Sequence, residues 1–88
     1  MLRITTQPNG PKDTVLVLEG RLAGDAVAEL RRVAGECSVA GKRIALDLAA
    51  LKFADTTGLA LLRELIDSSA KVRRASAFVS ALLEESQP

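Results

Sequence analysis

An acid, two hydroxyls and a glycine stand together in the second half of the chain, as Asp55, Thr56, Thr57 and Gly58. Carboxylate and hydroxyl oxygens accept hydrogen bonds from the free N–H groups at a helix start, so the simplest interpretation is a capped helix. A hydroxyl in the first turn can also carry a phosphate group, because the free N–H groups and the helix dipole favour anions there. The pattern therefore predicts a helix start at which the two hydroxyls either only cap the helix or themselves receive a group.

The residues around these hydroxyls allow several interpretations. Asp55 is first of all a helix N-cap, but its carboxylate can also orient a neighbouring hydroxyl or, as a weak lone ligand, hold Mg²⁺. Gly58 either lets another stretch of backbone approach the helix start closely or simply eases the turn. Leu59 continues the core-facing side of the helix in the preferred interpretation, and in the other it is an exposed apolar contact for a partner.

The residue types present argue against an enzyme. The chain of 88 residues has no histidine and a single cysteine, Cys37, which excludes disulfides, Cys/His zinc sites and Ser-His or Cys-His nucleophile pairs. It has no P-loop, no glycine-rich dinucleotide fingerprint and no pair of carboxylates at a plausible separation. We therefore predict a non-enzymatic protein with no cofactor and no metal site.

The charge balance argues against a polyanionic partner. The 12 basic and 11 acidic residues leave a formal net charge of +1, and no aromatic residues interleave with the basic pairs to stack on bases. No apolar run approaches the roughly 20 residues of a membrane span, and the N-terminal residues lack the apolar segment of a signal peptide. These features predict a cytoplasmic protein that binds no nucleic acid and does not insert into a membrane.

The hydropathy pattern predicts strands in four places. Residues 2–6 alternate between apolar and polar, and a turn at residues 8–11 leads into the apolar run at residues 15–18. Residues 43–48 form a second buried strand in this interpretation, whereas the charged residues 71–75 fit only the edge of a sheet. The order strand, helix, strand in the first half of the chain predicts a parallel pair.

Apolar residues at helical spacing predict three helices. The first occupies residues 26–37, with Asp25 as its N-cap or first-turn acid, the second begins at Thr56, and a short third one runs from a Ser76 cap to Glu85. The side chains expected to pack are Leu59, Leu62, Leu65 and Ile66 on the second helix, and Phe78, Val79, Leu82 and Leu83 on the third. We predict one α/β domain over residues 1–88, with a mixed, mostly parallel β-sheet of about four strands, two longer helices and a short C-terminal helix.

The segment from Arg43 to Leu62, RIALDLAALKFADTTGLALL, resembles the core of the STAS domain, the fold of bacterial anti-sigma-factor antagonists. In that family a buried strand of the form LDL leads through a short loop to an Asp-Ser/Thr-Ser/Thr-Gly sequence that opens a helix. Here the strand ends with Leu46-Asp47-Leu48 and the motif begins at Asp55. The LEGRL turn at residues 18–22 and the trailing SAFVSALLEE segment occur in the expected order, so the resemblance extends over most of the chain.

The resemblance implies a protein-binding switch whose phosphoacceptor is the second hydroxyl after the acid, which is Thr57 here, with Thr56 as the second choice. In the family a partner kinase phosphorylates that position, and the unphosphorylated form binds the same kinase-type anti-sigma factor. The implied partner-binding residues are Asp55, Thr56, Thr57, Gly58 and Leu59. The chain departs from the family in having threonine where serine is more usual.

A second resemblance implies a different function. The sequence DTTGLALL is also similar to STAS subunits of bacterial phospholipid-transport ABC complexes, in which the first hydroxyl position, here Thr56, is the interacting one and no kinase is needed. The alternative hypothesis is therefore a constitutive subunit of a larger assembly, bound to a transporter ATPase subunit or a signalling scaffold. The sequence allows a homodimer without fixing the oligomeric state.

Overall fold

A four-stranded sheet is the centre of the fold in the computed structural model of the chain, which describes residues 2–85. The strands are β1 (Leu2–Pro8), β2 (Asp13–Leu22), β3 (Arg43–Ala54) and β4 (Lys71–Ala75), and they lie in the order β1-β2-β3-β4. β1 pairs with β2 antiparallel, whereas β2 with β3 and β3 with β4 are parallel pairs. The predicted mixed, mostly parallel sheet with residues 71–75 at its edge is confirmed.

Within residues 2–85, one helix follows each of β2, β3 and β4: α1 (Asp25–Val39), α2 (Thr56–Asp67) and α3 (Ala77–Glu85). Asp25 lies in the first turn of α1, whose N-cap is Gly24, and the Ser76 hydroxyl accepts a hydrogen bond from the N–H of Val79 at the start of α3. The two longer helices and the short third one are confirmed.

None of the helices within the described part of the chain has the length and apolar composition that crossing a bilayer requires. Residue 1 and residues 86–88, which the predicted domain includes, lie outside the described residues.

Leucine side chains build most of the core, because the chain has only two aromatic residues. Burying one leucine side chain stabilises the fold by about 1.5–3 kcal/mol relative to leaving it exposed. Phe78, by contrast, is 47% exposed, so its predicted packing is wrong. The neighbouring Val79 lies in the core, because successive side chains of a helix point in different directions. The fully buried side chains are Leu16, Leu18, Leu22, Leu30, Leu46, Leu48, Leu51, Leu61, Leu62 and Val79.

β3 is longer than the predicted strand, which ended at Leu48. Beyond Asp47 the pairing of β3 with β2 shifts register twice, and β3 contains one extra residue at each shift. Each extra residue moves the side chains that follow it to the opposite face of the sheet. Leu51 and Ala54 are therefore both buried although they are three residues apart. A strand with this spacing lacks strict alternation, which is why the hydropathy pattern ended it too early.

The extension of β3 carries the chain directly to the start of α2. Ala54, the last residue of β3, pairs with Leu22, the last residue of β2, and the N–H of Asp55 donates a hydrogen bond of 3.1 Å to the Leu22 carbonyl. Residues 18–22, expected to form a turn, are thus the end of a central strand. The carboxyl ends of two parallel strands meet where α2 begins, which is the edge at which α/β proteins commonly bind ligands.

Candidate functional site

Asp55 is the N-cap of α2, in agreement with the preferred interpretation. Its Oδ1 atom accepts hydrogen bonds from the N–H of Gly58 at 2.7 Å and from the hydroxyl of Thr57 at 2.8 Å. Its Oδ2 atom accepts a third one, of 3.2 Å, from the N–H of Gly24 in the loop before α1. One carboxylate therefore joins the start of α2 to a loop 31 residues earlier in the chain.

These hydrogen bonds hold the pKa of Asp55 below its ordinary value. The Gly58 N–H is the largest cause, and the Thr57 hydroxyl is the next. Desolvation acts in the opposite direction and is outweighed, because each donor favours the charged form of the carboxylate. Asp55 is consequently an anion at neutral pH.

Thr57 is exposed on the first turn of α2, and its hydroxyl donates to the Asp55 carboxylate. A threonine hydroxyl has one proton to donate and two lone pairs that accept. The proton is engaged with Asp55, while the oxygen accepts no hydrogen bond from any residue between 2 and 85. The geometry fits the second interpretation of Asp55, in which its carboxylate orients the hydroxyl, as well as it fits the N-cap.

Thr56 is also exposed, but its surroundings differ from those of Thr57. Its hydroxyl has no hydrogen-bond partner among the described residues, and it lines an open surface groove together with Leu59, Ala60 and Arg63. Leu59 is half-buried and does not belong to the core cluster, in which Leu61 takes part instead. Leu59 is thus a groove residue, which corrects the preferred interpretation of it as core.

Gly58 is buried because the end of β2 lies directly against it. A Cβ atom at this position would lie 2.5 Å from the Leu22 carbonyl oxygen and 2.9 Å from the Leu22 Cγ atom, distances at which atoms overlap. Of the two interpretations of Gly58, the close approach of another backbone segment is the one that the geometry supports. The sequence pattern did not place Leu22 at this site, because Leu22 and Gly58 are far apart in the chain.

A metal ion would find few ligands here. Residues 2–85 contain no group of three or more His, Cys, Asp or Glu side chains close enough to hold one. Cys37 is an unpaired, half-buried thiol on α1 that packs against the core. The interpretation of Asp55 as a Mg²⁺ ligand therefore gains no support.

The sequence of most of the described fold matches a family profile. The profile of the STAS domain aligns with residues 3–82. The chain belongs to the STAS domain family. Within this STAS domain the motif Asp55–Gly58 occupies the junction of β3 and α2. Among curated protein sequences, no significant match was found.

Two solved structures show the same STAS fold. The anti-sigma factor antagonist SpoIIAA in its unphosphorylated form superposes with a TM-score of 0.75 at 22% sequence identity, over 96% of this chain and 80% of that one. The STAS domain of an anti-sigma-factor antagonist from Rhodobacter sphaeroides gives a TM-score of 0.63 at 17% identity, over 89% of each chain. At these identities the similarity establishes the fold, and function has to be argued from the site.

Proposed function

We propose that the chain is a single-domain, non-enzymatic protein-binding module of the cytoplasm, of the anti-sigma-factor-antagonist type, and that phosphorylation of Thr57 switches its binding. The observation that carries the proposal is the exposed Thr57 hydroxyl, held by Asp55 at 2.8 Å on the first turn of α2. A kinase needs an accessible hydroxyl oxygen on its protein substrate, and the Thr57 oxygen is exposed. The similarity to the unphosphorylated form of an anti-sigma factor antagonist lends further support.

A phosphate on Thr57 would change the site in two opposing ways. It would remove the O–H donor of the hydrogen bond that Asp55 accepts and place a charge of about −1.5 to −2 beside an anionic carboxylate. The free N–H groups and dipole of α2 offset part of that repulsion, by about 0.3–1 kcal/mol. Repulsion from Asp55 should turn the phosphate away from the carboxylate, toward solvent. The fold should survive while the binding surface changes.

The proposed partner is a serine-kinase-type anti-sigma factor that phosphorylates the same surface it binds. The contact surface would consist of Asp55, Thr56, Thr57 and Leu59, whereas the buried Gly58 shapes it through the approach of β2. A new charge facing an acidic or apolar partner surface is costly. A tenfold loss of affinity needs only about 1.4 kcal/mol, which is well within that cost.

Phosphorylation itself is tested with ATP, a candidate anti-sigma-factor kinase and peptide mass spectrometry. We expect phosphate on Thr57 in the parent chain and none in the Thr57→Ala variant. The Thr56→Ala variant is the matched control, because it removes the adjacent exposed hydroxyl and leaves the Thr57–Asp55 hydrogen bond in place. Phosphate found only on Thr56, Ser68 or Ser69 would contradict the assignment.

The effect on binding is tested by titrating Thr57→Glu and Thr57→Ala against the same kinase. Both variants should fold with a free energy of unfolding within about 1–2 kcal/mol of the parent, as is usual for cap and surface changes. The glutamate variant should bind at least about tenfold more weakly than the alanine variant, because it brings an unpaired charge into the contact. Equal affinities of two folded variants would mean that the motif serves only to cap α2.

Thr56 supports a second candidate function, a constitutive subunit of an assembly such as a phospholipid-transport ABC complex. The supporting observation is that the Thr56 hydroxyl is unengaged among residues 2–85 and borders the groove of Leu59, Ala60 and Arg63, as a direct contact residue would. Titration against the transporter ATPase separates the two candidates. The second function predicts that Thr56→Glu abolishes binding without any kinase, whereas the first predicts that Thr57→Glu has the larger effect on the anti-sigma factor.

A further inference from the structure

A second groove lies at the opposite end of α2 from Thr57. It opens between the C-terminal halves of α1 and α2, above the first residues of β3 and β4, and has a volume of about 480 Å³. Pockets that bind small molecules commonly measure about 300–1,000 Å³. None of the residues of the Asp55–Leu59 site lines it. We call it the helix-end groove.

The walls of the helix-end groove are mainly apolar. Ala34 of α1, Leu61 and Leu65 of α2 and Ile44 of β3 line it. Gly35 also lines it, and a Cβ atom at Gly35 would meet no other atom within 4 Å. Ala34 and Gly35 of α1 thus place no large side chain over the groove. Such a space suits the aliphatic part of a ligand, because contact with the half-buried Ile44 and Leu65 removes apolar surface from water.

The rim of the helix-end groove is positively charged. Two of its four cations are engaged, since Arg31 binds Glu64 at 3.0 Å and Arg43 binds Asp13 at 2.7 Å. The other two, Lys42 and Lys71, have no carboxylate partner among the described residues. The rim carries one acidic residue, Glu64, and four basic residues, Arg31, Lys42, Arg43 and Lys71.

Part of this positive charge has a structural role. The groove lies at the C-terminal ends of α1 and α2, where cations offset the partial negative charge of each helix dipole. That role does not require an apolar space beside the lysines, and an exposed lysine would offset the dipole equally well. The combination of apolar walls with two unpaired cations at the mouth is complementary to a molecule with an aliphatic chain and an anionic head.

We propose that the helix-end groove binds a single-chain anionic amphiphile, namely a medium-chain fatty carboxylate. The aliphatic chain lies between α1 and α2, against the half-buried Leu65 and Ile44, and the carboxylate is held by Lys42 and Lys71. The proposal is independent of phosphorylation at Thr57, because the two sites share no residue.

The first experiment is a titration of the ¹⁵N-labelled chain with decanoate below its aggregation concentration, followed by two-dimensional NMR. We expect saturable shifts of the amide signals of Gly35, Leu65, Ala70 and Lys71, which line the groove. Decanol, with the same chain and no charge, should bind on the order of tenfold more weakly. Shifts centred on Leu59, an absence of saturable shifts, or equal binding of decanol would each overturn the proposal.

Charge variants test the head-group contact. The Lys42→Gln/Lys71→Gln double variant should lose on the order of tenfold in decanoate affinity and leave decanol binding unchanged. Lys52→Gln is the matched control, because Lys52 is an exposed lysine of β3, as Lys71 is of β4, and it does not line the groove. If the double variant and the control bind decanoate alike, the lysines do not hold the head group and the proposal is wrong.

A pair of substitutions at Gly35 tests the apolar space. Both Gly35→Ala and Gly35→Leu should fold, because they replace a glycine within a helix and the Cβ position is open. Gly35→Leu fills part of the groove and should abolish saturable decanoate binding, whereas Gly35→Ala should retain most of it. Retained binding in a folded Gly35→Leu variant would place the aliphatic chain elsewhere and overturn the proposal.

Discussion

At the scale of single residues, Gly58 is the position at which the site depends most strictly on the size of a side chain. Gly58 faces the carbonyl of Leu22, with 2.5 Å between that oxygen and the position of a Cβ atom. We expect Gly58→Ala to lower the free energy of unfolding by about 1–3 kcal/mol, the usual cost of overpacking. Urea unfolding measures it.

Gly35→Ala is the control for Gly58→Ala, since it makes the same change within a helix where the Cβ position is open. It should stabilise the chain by up to about 1 kcal/mol through helix propensity. A Gly58→Ala variant that is as stable as Gly35→Ala would show that the approach of β2 does not constrain the helix start.

Asp55 makes stability depend on pH at the same helix start. Its pKa is lowered in the folded state, chiefly by the Gly58 N–H and then by the Thr57 hydroxyl. A depressed pKa contributes stability above the ordinary value of about 4, and the contribution is lost as the pH falls through the folded-state pKa. We therefore expect the melting temperature of the parent to exceed that of Asp55→Asn at pH 7 and the gap to narrow below about pH 4.

Thermal melts of the two chains between neutral and acidic pH provide the measurement. Asparagine is a suitable comparison because it also caps helices but carries no charge to lose. A gap that stays constant over the whole range would mean that the charge of Asp55 adds nothing to its hydrogen bonds.

At the scale of secondary-structure elements, the C-terminal cap of α2 has a serine, Ser69, at a position that favours glycine. The N–H of Ser69 donates to the carbonyl of Ile66, and the N–H of Ala70 donates to that of Leu65, the pattern of a Schellman C-cap. Ser69 has a φ of 94°, a left-handed conformation that glycine adopts without strain.

Ser69→Gly should consequently raise the free energy of unfolding by about 1 kcal/mol. Ser68→Gly is the matched control, because Ser68 has a φ of −88° and gains nothing from glycine. Chemical denaturation of both variants compares them directly. If the two changes have the same effect, the conformation of Ser69 costs the fold nothing.

At the scale of the whole molecule, we expect packing and backbone hydrogen bonds to account for stability without a metal ion. Residues 2–85 contain no side-chain cluster that could hold one, and leucines fill the core between sheet and helices. We expect neither a chelator nor added Mg²⁺ or Zn²⁺ to change the melting temperature. A fall of several degrees on adding the chelator would reveal a structural site that involves residues outside this range.

The elements whose signals are local were predictable from the sequence. The caps at Asp55 and Ser76 bond to N–H groups three residues ahead, at Gly58 and Val79, and side chains of these types favour that geometry in any helix start. The periodicity of α1 and α2 and the apolar run in β2 are equally local, and together they predict the strand-helix-strand order. The STAS motif could be recognised for the same reason, since its residues are consecutive.

Contacts between distant segments were decided only by the tertiary structure. The two register shifts that extend β3 to Ala54 depend on its pairing with β2. The hydropathy pattern of residues 49–54 alone does not predict these shifts. The hydrogen bond from Gly24 to Asp55 and the contact of Leu22 with Gly58 likewise join segments that only the parallel sheet brings together. Which side of α3 is buried, with Val79 inside and Phe78 outside, depends on its approach to the sheet. The sequence by itself determines which residues can cap, pair or accept a phosphate, whereas packing determines which of them meet, because burial and strand register are properties of the assembled sheet.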